Sequence, residues 1–176
     1  QRDGAYDVYA KAIGESGSEE LLFRSNFELS LSQWLPNGGM MFMLRDPKTD
    51  WDVAYLPPRL KEVQPPPVRI IHGEASESGG VLSPDGRWVV YQSNESSGEL
   101  FVAYVAAFPS GGHRRQISSE SVDLTNARWT RTGREIVFSD RMKVLAVSVI
   151  PKGDVLEVAP PRVLFKTTMD CNSFEL

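Results

Sequence analysis

A five-residue motif recurs three times along this chain at a nearly constant interval. It occupies residues 34–38 (WLPNG), 82–86 (LSPDG) and 129–133 (WTRTG), so its glycines follow one another after 48 and 47 residues. A period of about 40 to 50 residues is typical of architectures in which each repeat is one supersecondary unit. Such a unit buries its apolar faces only against its neighbours, so the repeat constrains the whole fold.

Each copy of the motif is followed by segments that have the character of β-strands. Apolar runs at 40–44, 88–91 and 136–138 come directly after the turns, and residues of both side-chain parities are apolar. This pattern is typical of a strand that is covered on both faces. Two further series repeat with the same period: residues 7–9, 52–55, 99–102 and 143–146, and the apolar residues Phe23, Ile71, Ile117 and Phe165. With a short strand before each turn, every repeat contains four strands.

The composition of the motif indicates a tight turn. Pro84 fixes φ near about −65°, Asp85 can accept hydrogen bonds from nearby backbone N–H groups, and Gly86 tolerates a positive φ. The first copy has Asn and Gly in the last two positions, and the third copy retains only the glycine. We therefore predict a positive φ at Gly38, Gly86 and Gly133.

Four strands and their turns in about 47 residues predict one blade of a β-propeller. For a chain of 176 residues, the predicted fold is all-β: a partial propeller ring of about three and a half four-stranded antiparallel blades. Residues 1–25 are expected to form a half blade, and residues 27–71, 75–118 and 122–165 to form full blades. Residues 166–176 are a tail or the start of the next blade.

An incomplete ring leaves the apolar faces of its end blades uncovered, and propellers usually have roughly four to eight blades. Two solutions are open. Either the chain is an excised part of a longer, six-bladed protein, or two copies form a homodimer that closes the ring through a large apolar interface. Gln1 in place of an initiator Met favours a processed or excised form.

Three tryptophans are expected to pack between neighbouring blades. Trp34 and Trp129 begin the first and third copies of the motif, and Trp88 lies in a strand that is apolar on both parities. A ligand cage is the competing interpretation, but large apolar side chains at repeated positions favour packing. The structural repeat positions are therefore Trp34, Gly38, Pro84, Asp85, Gly86, Trp129 and Gly133.

Residues 82–95 (LSPDGRWVVYQSNE) resemble the signature of TolB-like, WD-repeat-like β-propellers, which is W-S-P-D-G followed by an apolar strand and a polar turn. Residues 161–165 (PRVLF) resemble the propeller regions attached to bacterial serine/threonine kinases and to some transcriptional regulators. The resemblance covers nearly the whole chain, about residues 5–165. The first and third copies depart from the signature, since they read LPNG and TRTG.

The resemblance implies a non-catalytic bacterial scaffold whose loops, at the rim and around the central channel, bind a protein or a small ligand. It also implies a periplasmic or other extracytoplasmic location. The alternative is that the segment is the propeller portion of an oligopeptidase-like hydrolase, or the sensor region of a bacterial kinase, with the catalytic domain outside this chain. We expect a protein partner and assign no binding residue.

The charge balance makes nucleic acid and membranes poor partners. The formal net charge is −4, which offers no attraction to phosphate backbones or anionic lipid. The longest apolar runs, such as residues 144–150, are far shorter than the roughly 18 residues of a membrane-spanning helix. The single cysteine, Cys171, permits no internal disulfide and no metal cluster.

No motif for catalysis or cofactor binding is present. A G-x-S-x-G nucleophile elbow is absent, because residues 14–18 (GESGS) have the wrong spacing, and so are the glycine-rich phosphate-binding motifs. His72 and His113 have no neighbouring Cys or His at ligand spacing, so exposed loop positions are expected. The sequence therefore predicts no enzyme activity, no catalytic residue and no cofactor.

Some polar and proline-rich segments have a functional and a structural interpretation. Asp46, Asp50 and Asp52 could suggest calcium, but the D-x-D-x-D-G order is missing, so a solvated hairpin turn is favoured and no metal site is predicted. The prolines at 57–58 and 65–67 could dock onto an aromatic groove, but a stiff surface loop is favoured.

Overall fold

The computed structural model describes residues 6–14, 17–60, 63–96, 98–118, 127–140 and 142–168. These residues form four antiparallel sheets and no helix. The first sheet pairs β1 (Tyr6–Ala10) with β2 (Glu20–Ser25), and the second contains β3 (Glu28–Trp34), β4 (Met40–Asp46), β5 (Asp50–Leu56) and β6 (Val68–Ile71). The third contains β7 (Glu77–Leu82), β8 (Trp88–Ser93), β9 (Val102–Ala107) and β10 (Arg115–Gln116). The fourth contains β11 (Arg128–Trp129), β12 (Glu135–Asp140), β13 (Lys143–Lys152), β14 (Val155–Val158) and β15 (Arg162–Lys166).

Some predicted features lie outside this part of the chain. Cys171, the first residues of the segment predicted to begin at 122, and most of the predicted tail at 166–176 are outside the described residues. In the part that the structure describes, no helix is long and apolar enough to cross a membrane.

Each sheet is built from strands that follow one another along the chain. The second and third sheets have the orders β3-β4-β5-β6 and β7-β8-β9-β10, so every connection joins neighbouring antiparallel strands. This meander is the four-stranded pattern that the repeat predicts. In the fourth sheet the first half of β13 pairs with β15 and its second half pairs with β14, so that sheet has five strands.

The third strand of the third sheet begins later than predicted. The prediction placed it at 99–102, whereas β9 begins at Val102 and continues to Ala107. The reason is that this apolar run pairs with the whole of β8, from Ser93 opposite Val102 to Trp88 opposite Ala107. Leu100, which lies two positions before the strand, is exposed.

The sequence repeat also did not predict β14. Gly153 has a φ of 61° and permits a tight turn between β13 and β14. Lys152 and Glu157 form an ion pair of 2.8 Å across this hairpin, and Leu156 is buried in the core. The hairpin is therefore an insertion that contributes two apolar side chains, Leu156 and Val158, to an existing interface.

The sheets stack face to face, with an apolar core at each of three interfaces. Strand β8 is buried at all six residues, because its odd-numbered side chains face the second sheet and its even-numbered ones face the fourth. The prediction of a strand covered on both faces is therefore confirmed for β8. Prominent core residues are Met40, Phe42, Leu44 and Phe23 between the first two sheets, Met41, Val53, Ile71 and Tyr91 between the second and third, and Trp88, Val90, Ile136 and Phe138 between the third and fourth.

The three tryptophans differ in burial. Trp88 and Trp129 are 2% and 8% exposed in the core between the third and fourth sheets, as predicted. Trp34 is 50% exposed, so the prediction of packing between blades is wrong for this residue. The physical reason is that Trp34 on β3 faces the first sheet, in which the described residues form two strands.

The backbone of the third sheet approaches the second sheet very closely at one residue of β7. Strand β7 packs across β3, β4 and β5. At Gly80 of β7, an added Cβ would lie 2.2 Å from Cγ1 of Val53 on β5, which is far inside van der Waals contact. The two sheets therefore meet at a position where only glycine fits.

We expect Gly80→Ala to lower the free energy of unfolding by about 2 kcal/mol, because overpacking forces neighbouring atoms apart. The measurement is urea denaturation, with Gly73→Ala as the matched control, since a Cβ at Gly73 would meet no atom within 4 Å. In a Val53→Ala background the cost of Gly80→Ala should shrink. An equal cost in both backgrounds would contradict the proposed contact.

Candidate binding site

The three copies of the sequence motif form the same turn at the end of the first strand of their sheets. Gly38, Gly86 and Gly133 have φ values of 84°, 71° and 68°, which confirms the predicted positive φ. In each turn the glycine N–H donates to the carbonyl oxygen three residues earlier, on Leu35, Ser83 or Thr130, over 2.8–2.9 Å. The turns follow β3, β7 and β11, which we call the inner strands.

Different side chains stabilise the three turns. In the second turn Ser83 Oγ donates to Asp85 Oδ1 over 2.5 Å and accepts from the N–H of Trp88 over 3.0 Å. In the third turn Thr130 Oγ1 takes the place of the serine and accepts from the N–H of Glu135 over 3.2 Å. In the third turn, where the motif lacks Pro and Asp, the hydroxyl of Thr130 therefore accepts the backbone hydrogen bond that Ser83 accepts in the second turn.

Side chains on the inner strands join one sheet to the next. Gln33 Oε1 on β3 accepts from the N–H of Leu82 on β7 over 2.8 Å. Trp129 Nε1 on β11 donates to the carbonyl oxygen of Val81 on β7 over 3.1 Å. Because these bonds tie the inner strands together, the three turns lie side by side at one end of the stack.

An open cavity of about 570 Å³ lies between these turns. Its floor is apolar, and its rim carries amide, hydroxyl, carboxylate and guanidinium groups. The lining residues are Gln33, Leu35, Pro36, Asn37, Val81, Leu82, Ser83, Pro84, Asp85, Gly86, Arg128, Trp129, Thr130 and Arg131. This volume lies within the range of about 300–1,000 Å³ that is typical of ligand-binding pockets. We call this cavity the turn-end cavity.

Two arginines give the turn-end cavity a positive side. Arg128 Nη1 donates to the carbonyl oxygen of Ala127 over 3.1 Å, and burial lowers the pKa of Arg128 from its ordinary value. Among the described residues, no carboxylate forms an ion pair with Arg128 or Arg131. The carboxylate at the rim, Asp85, is bonded to Ser83 and to the N–H of Arg87. A desolvated cation without an anionic partner favours binding of an anionic group.

Comparison with solved protein structures identifies the fold of the chain. No protein-family model matches the chain, and no curated protein is significantly similar to it. A TolB-type protein from Agrobacterium tumefaciens has a similar structure, with a TM-score of 0.59 and 19% identity over 97% of this chain and 65% of its own. TolB from Acinetobacter baumannii matches with a TM-score of 0.60 and 14% identity over 93% of this chain and 39% of its own.

The chain has a TolB-like β-propeller fold. The predicted fold class, an all-β partial propeller, is therefore confirmed. The chain spans 65% and 39% of the lengths of these two TolB structures, so it corresponds to part of each. At 14–19% identity the similarity establishes the fold and not the activity.

The repeat positions have separate places in this TolB-like fold. Pro84, Asp85, Gly86 and Trp129 line the turn-end cavity. Gly38 and Gly133 shape its neighbouring turns, and Trp34 is not among the lining residues. The sequence analysis missed Arg128 and Arg131, because an arginine in a short strand or turn carries no signal that distinguishes it from a solvated surface residue.

The two histidines and the loop prolines lie away from the turn-end cavity. His72 and His113 are both exposed, as expected, and His113 has a φ of 51°. The loop between β5 and β6 is closed by paired backbone hydrogen bonds between Leu60 and Val63. In the same loop Gln64 donates to the carbonyl oxygen of Pro57 over 2.9 Å. These contacts agree with a stiff surface loop.

The predicted solvated turn at 46–52 is wrong for Asp52, which has no exposed surface. Arg69 on β6 donates to Asp52 Oδ2 over 2.7 Å and to Asp46 Oδ2 over 2.6 Å. The hydrogen bond from Arg69 lowers the pKa of Asp46, whereas burial raises the pKa of Asp52. The cause of the misprediction is that β6 supplies the cation from 17 residues away. Within the described residues, no cluster of three or more His, Cys, Asp or Glu side chains could hold a metal.

A second carboxylate, Glu77, is buried between the second and third sheets. Ser93 Oγ donates to Glu77 Oε1 over 3.4 Å, and Glu77 Oε2 has no hydrogen-bond partner among the described residues. Burial, together with the charge of Asp52, raises the pKa of Glu77 from 4.5 to about 7. The folded state therefore binds this proton more tightly than the unfolded state does.

Because the pKa of Glu77 is raised in the folded state, we expect stability to fall as the pH rises from about 4.5 through 7. The loss attributable to Glu77 is of the order of 3 kcal/mol. Glu77→Gln should remove most of this slope and raise the urea midpoint at pH 8. Glu74→Gln, at an exposed position, is the control. An unchanged slope in Glu77→Gln would mean that Glu77 does not carry the pH dependence.

Proposed function

We propose that the protein is a non-catalytic binding scaffold whose turn-end cavity holds an acidic, extended segment of a partner protein. The observation that carries this proposal is the pair Arg128 and Arg131, which lie without an anionic partner, among the described residues, beside an apolar floor. The remaining features of the cavity support the same ligand.

The construction of the cavity supports recognition of a protein segment. Its walls are tight turns on buried strands, and binding residues commonly lie on loops that a rigid framework holds in place. The floor residues Leu35, Val81 and Trp129 are buried, which gives an apolar side chain a surface to contact. An extended segment that alternates apolar and acidic residues would place one type on the floor and the other on the arginines.

The charges favour an acidic ligand. Guanidinium groups bind carboxylates through two parallel hydrogen bonds, and these bonds are stronger when water is excluded. The partly buried Arg128 has already lost part of its hydration, as its lowered pKa indicates. A carboxylate would therefore gain a charge-assisted bond at small further desolvation cost.

The side chains of the cavity support a role without catalysis. The hydroxyl of Ser83 is bonded to Asp85 and to backbone N–H groups, and neither His72 nor His113 lines the cavity. A serine nucleophile is usually activated by an adjacent histidine, whereas Ser83 Oγ takes part in the turn through Asp85 and the backbone N–H groups of Arg87 and Trp88.

Three expectations stay predictions: a hydrolase or kinase domain elsewhere on a longer polypeptide, a homodimer that closes the ring, and an extracytoplasmic location.

We expect a short fluorescein-labelled peptide in which Glu alternates with Leu to bind more tightly than its Gln/Leu counterpart, with an affinity that falls as salt is added. Arg131→Glu should weaken binding by about tenfold or more, because a hydrogen bond to a charged group contributes about 1.5–3 kcal/mol. The measurement is fluorescence anisotropy.

Arg115→Glu on β10 is the matched control, because it reverses the same charge at an exposed position outside the cavity. It should leave the affinity within about twofold of the unmodified protein. Equal losses in Arg115→Glu and Arg131→Glu would mean that the peptide responds to net charge and not to the turn-end cavity.

A further inference from the structure

The β13–β14 hairpin lies outside the sequence repeat, and it reaches across to the third sheet. Arg87, which directly follows the second motif turn, donates from Nη2 to the carbonyl oxygen of Gly153 over 2.5 Å. The guanidinium carbon of Arg87 also lies 5.8 Å from the centre of the Trp88 ring. The second and third sheets contain no such extra hairpin among their strands. The insertion is therefore fixed against the third sheet by a contact that the repeat does not supply.

This contact borders a second cavity, of about 260 Å³, between the third and fourth sheets. The end of the motif turn supplies Arg87 and Trp88 to its walls, the loop at 108–114 supplies Phe108, Ser110 and His113, and the β13–β14 hairpin supplies Asp154. It shares no lining residue with the turn-end cavity. We call it the hairpin pocket.

The loop that forms one wall of the hairpin pocket is held by backbone contacts. The N–H of Phe108 donates to the carbonyl oxygen of Arg87 over 2.8 Å, and the N–H of Gly111 donates to that of Ala107 over 2.8 Å. At Gly111 an added Cβ would lie 2.1 Å from the carbonyl oxygen of Ile70, so this loop also packs closely on the second sheet. The pocket is therefore formed before any ligand binds, as is usual for small-molecule sites.

Two opposite charges lie side by side in the walls of the hairpin pocket. Arg87 Nη2 and Asp154 Oδ1 are 3.7 Å apart, which is beyond hydrogen-bond distance, and their side chains are 48% and 93% exposed. Each charged group can therefore bind a further partner. An α-amino acid carries its ammonium and carboxylate groups on one carbon atom, so it can place the carboxylate at Arg87 and the ammonium group at Asp154 at the same time.

The rest of the pocket favours a small ligand with an apolar side chain. Trp88, Ala107 and Phe108 give it an apolar wall. Trp88 Nε1 is buried and has no hydrogen-bond partner among the described residues, whereas Trp129 Nε1 donates to the carbonyl oxygen of Val81. A buried donor without a partner favours a ligand that brings acceptor atoms to this wall. The volume is below the roughly 300–1,000 Å³ of pockets for drug-sized ligands, which favours a molecule the size of one residue.

We propose that the hairpin pocket binds a free α-amino acid with an apolar side chain. Its carboxylate binds Arg87, its ammonium group binds Asp154, and its side chain lies against Trp88 and Phe108. The hydroxyl of Ser110 offers the carboxylate a further hydrogen bond. A peptide fits less well, because each of its ends carries only one of the two charged groups. This site is separate from the turn-end cavity and does not depend on the ligand proposed there.

The test titrates L-leucine into the full chain by isothermal titration calorimetry. N-acetyl-L-leucine keeps the carboxylate but has no ammonium group, and 3-methylbutylamine keeps the ammonium group but has no carboxylate. We expect leucine to bind with a Kd of about 1 mM or lower. Each analogue should bind at least about threefold more weakly, because each loses one of the two charged contacts.

Variants of the two charged residues locate the binding site. Asp154→Asn and Arg87→Gln should each weaken leucine binding by about threefold or more. Asp154→Asn should not weaken binding of N-acetyl-L-leucine, which has no ammonium group to lose a partner. The matched control is Glu99→Gln, which removes the same charge at an exposed position on the β8–β9 connection. Glu99→Gln, and Arg131→Glu in the turn-end cavity, should bind leucine as the unmodified protein does.

Three results would each overturn the proposal. The first is the absence of saturable binding at leucine concentrations up to about 10 mM. The second is an equal affinity for leucine and N-acetyl-L-leucine. The third is an unchanged affinity for leucine in Asp154→Asn, a variant whose exposed side chain makes misfolding no explanation. A loss in Arg131→Glu equal to that in Arg87→Gln would place the amino acid in the turn-end cavity and would also contradict the proposal.

Discussion

The structure depends on face-to-face burial of one sheet against the next. Among the described residues, the three large apolar clusters lie between neighbouring sheets, because a single sheet is only one layer thick and its apolar side chains reach into the next sheet. A smaller cluster of Val137, Val144 and Ala146 lies on the fourth sheet itself. Strand β8 contributes side chains to two interfaces at once, and Gly80 lets the backbone of β7 approach Val53 directly. Stability is therefore a sum over interfaces, and the sheets at the two ends have fewer neighbours than those in the middle.

The turn-end cavity is a consequence of the same stacking. Gln33 and Trp129 bond each inner strand to its neighbour, so the turns that follow these strands must end close together. The apolar floor is the end of the inter-sheet core, and the arginines lie where that core meets solvent. The partial burial that lowers the pKa of Arg128 is thus imposed by the fold. The residues proposed to bind the ligand are therefore all placed at the cavity by the stacking of the sheets.

The sequence alone predicted the repeated part of the fold. The spacing of the glycines gave the turns, and the apolar runs gave β4, β8 and β12, because these features depend on local conformation and on burial that every repeat shares. It could not predict the exposure of Trp34, since the same motif position is buried in Trp129 and the difference lies in the neighbouring sheet. The burial of Asp52 could not be predicted either, because its ion-pair partner Arg69 lies 17 residues away in the sequence. Arg128 and Arg131 were missed because their role depends on three turns meeting in space.

Native-state hydrogen exchange measures most directly whether stability resides in the interfaces between sheets. If it does, the amides of β8 and β9 exchange only through global unfolding, and those of β1 and β2 exchange through a separate opening of much lower free energy. Protection of β1 and β2 equal to that of β8 would contradict this view, because it would mean that the two-stranded sheet is as firmly held as one packed on both faces.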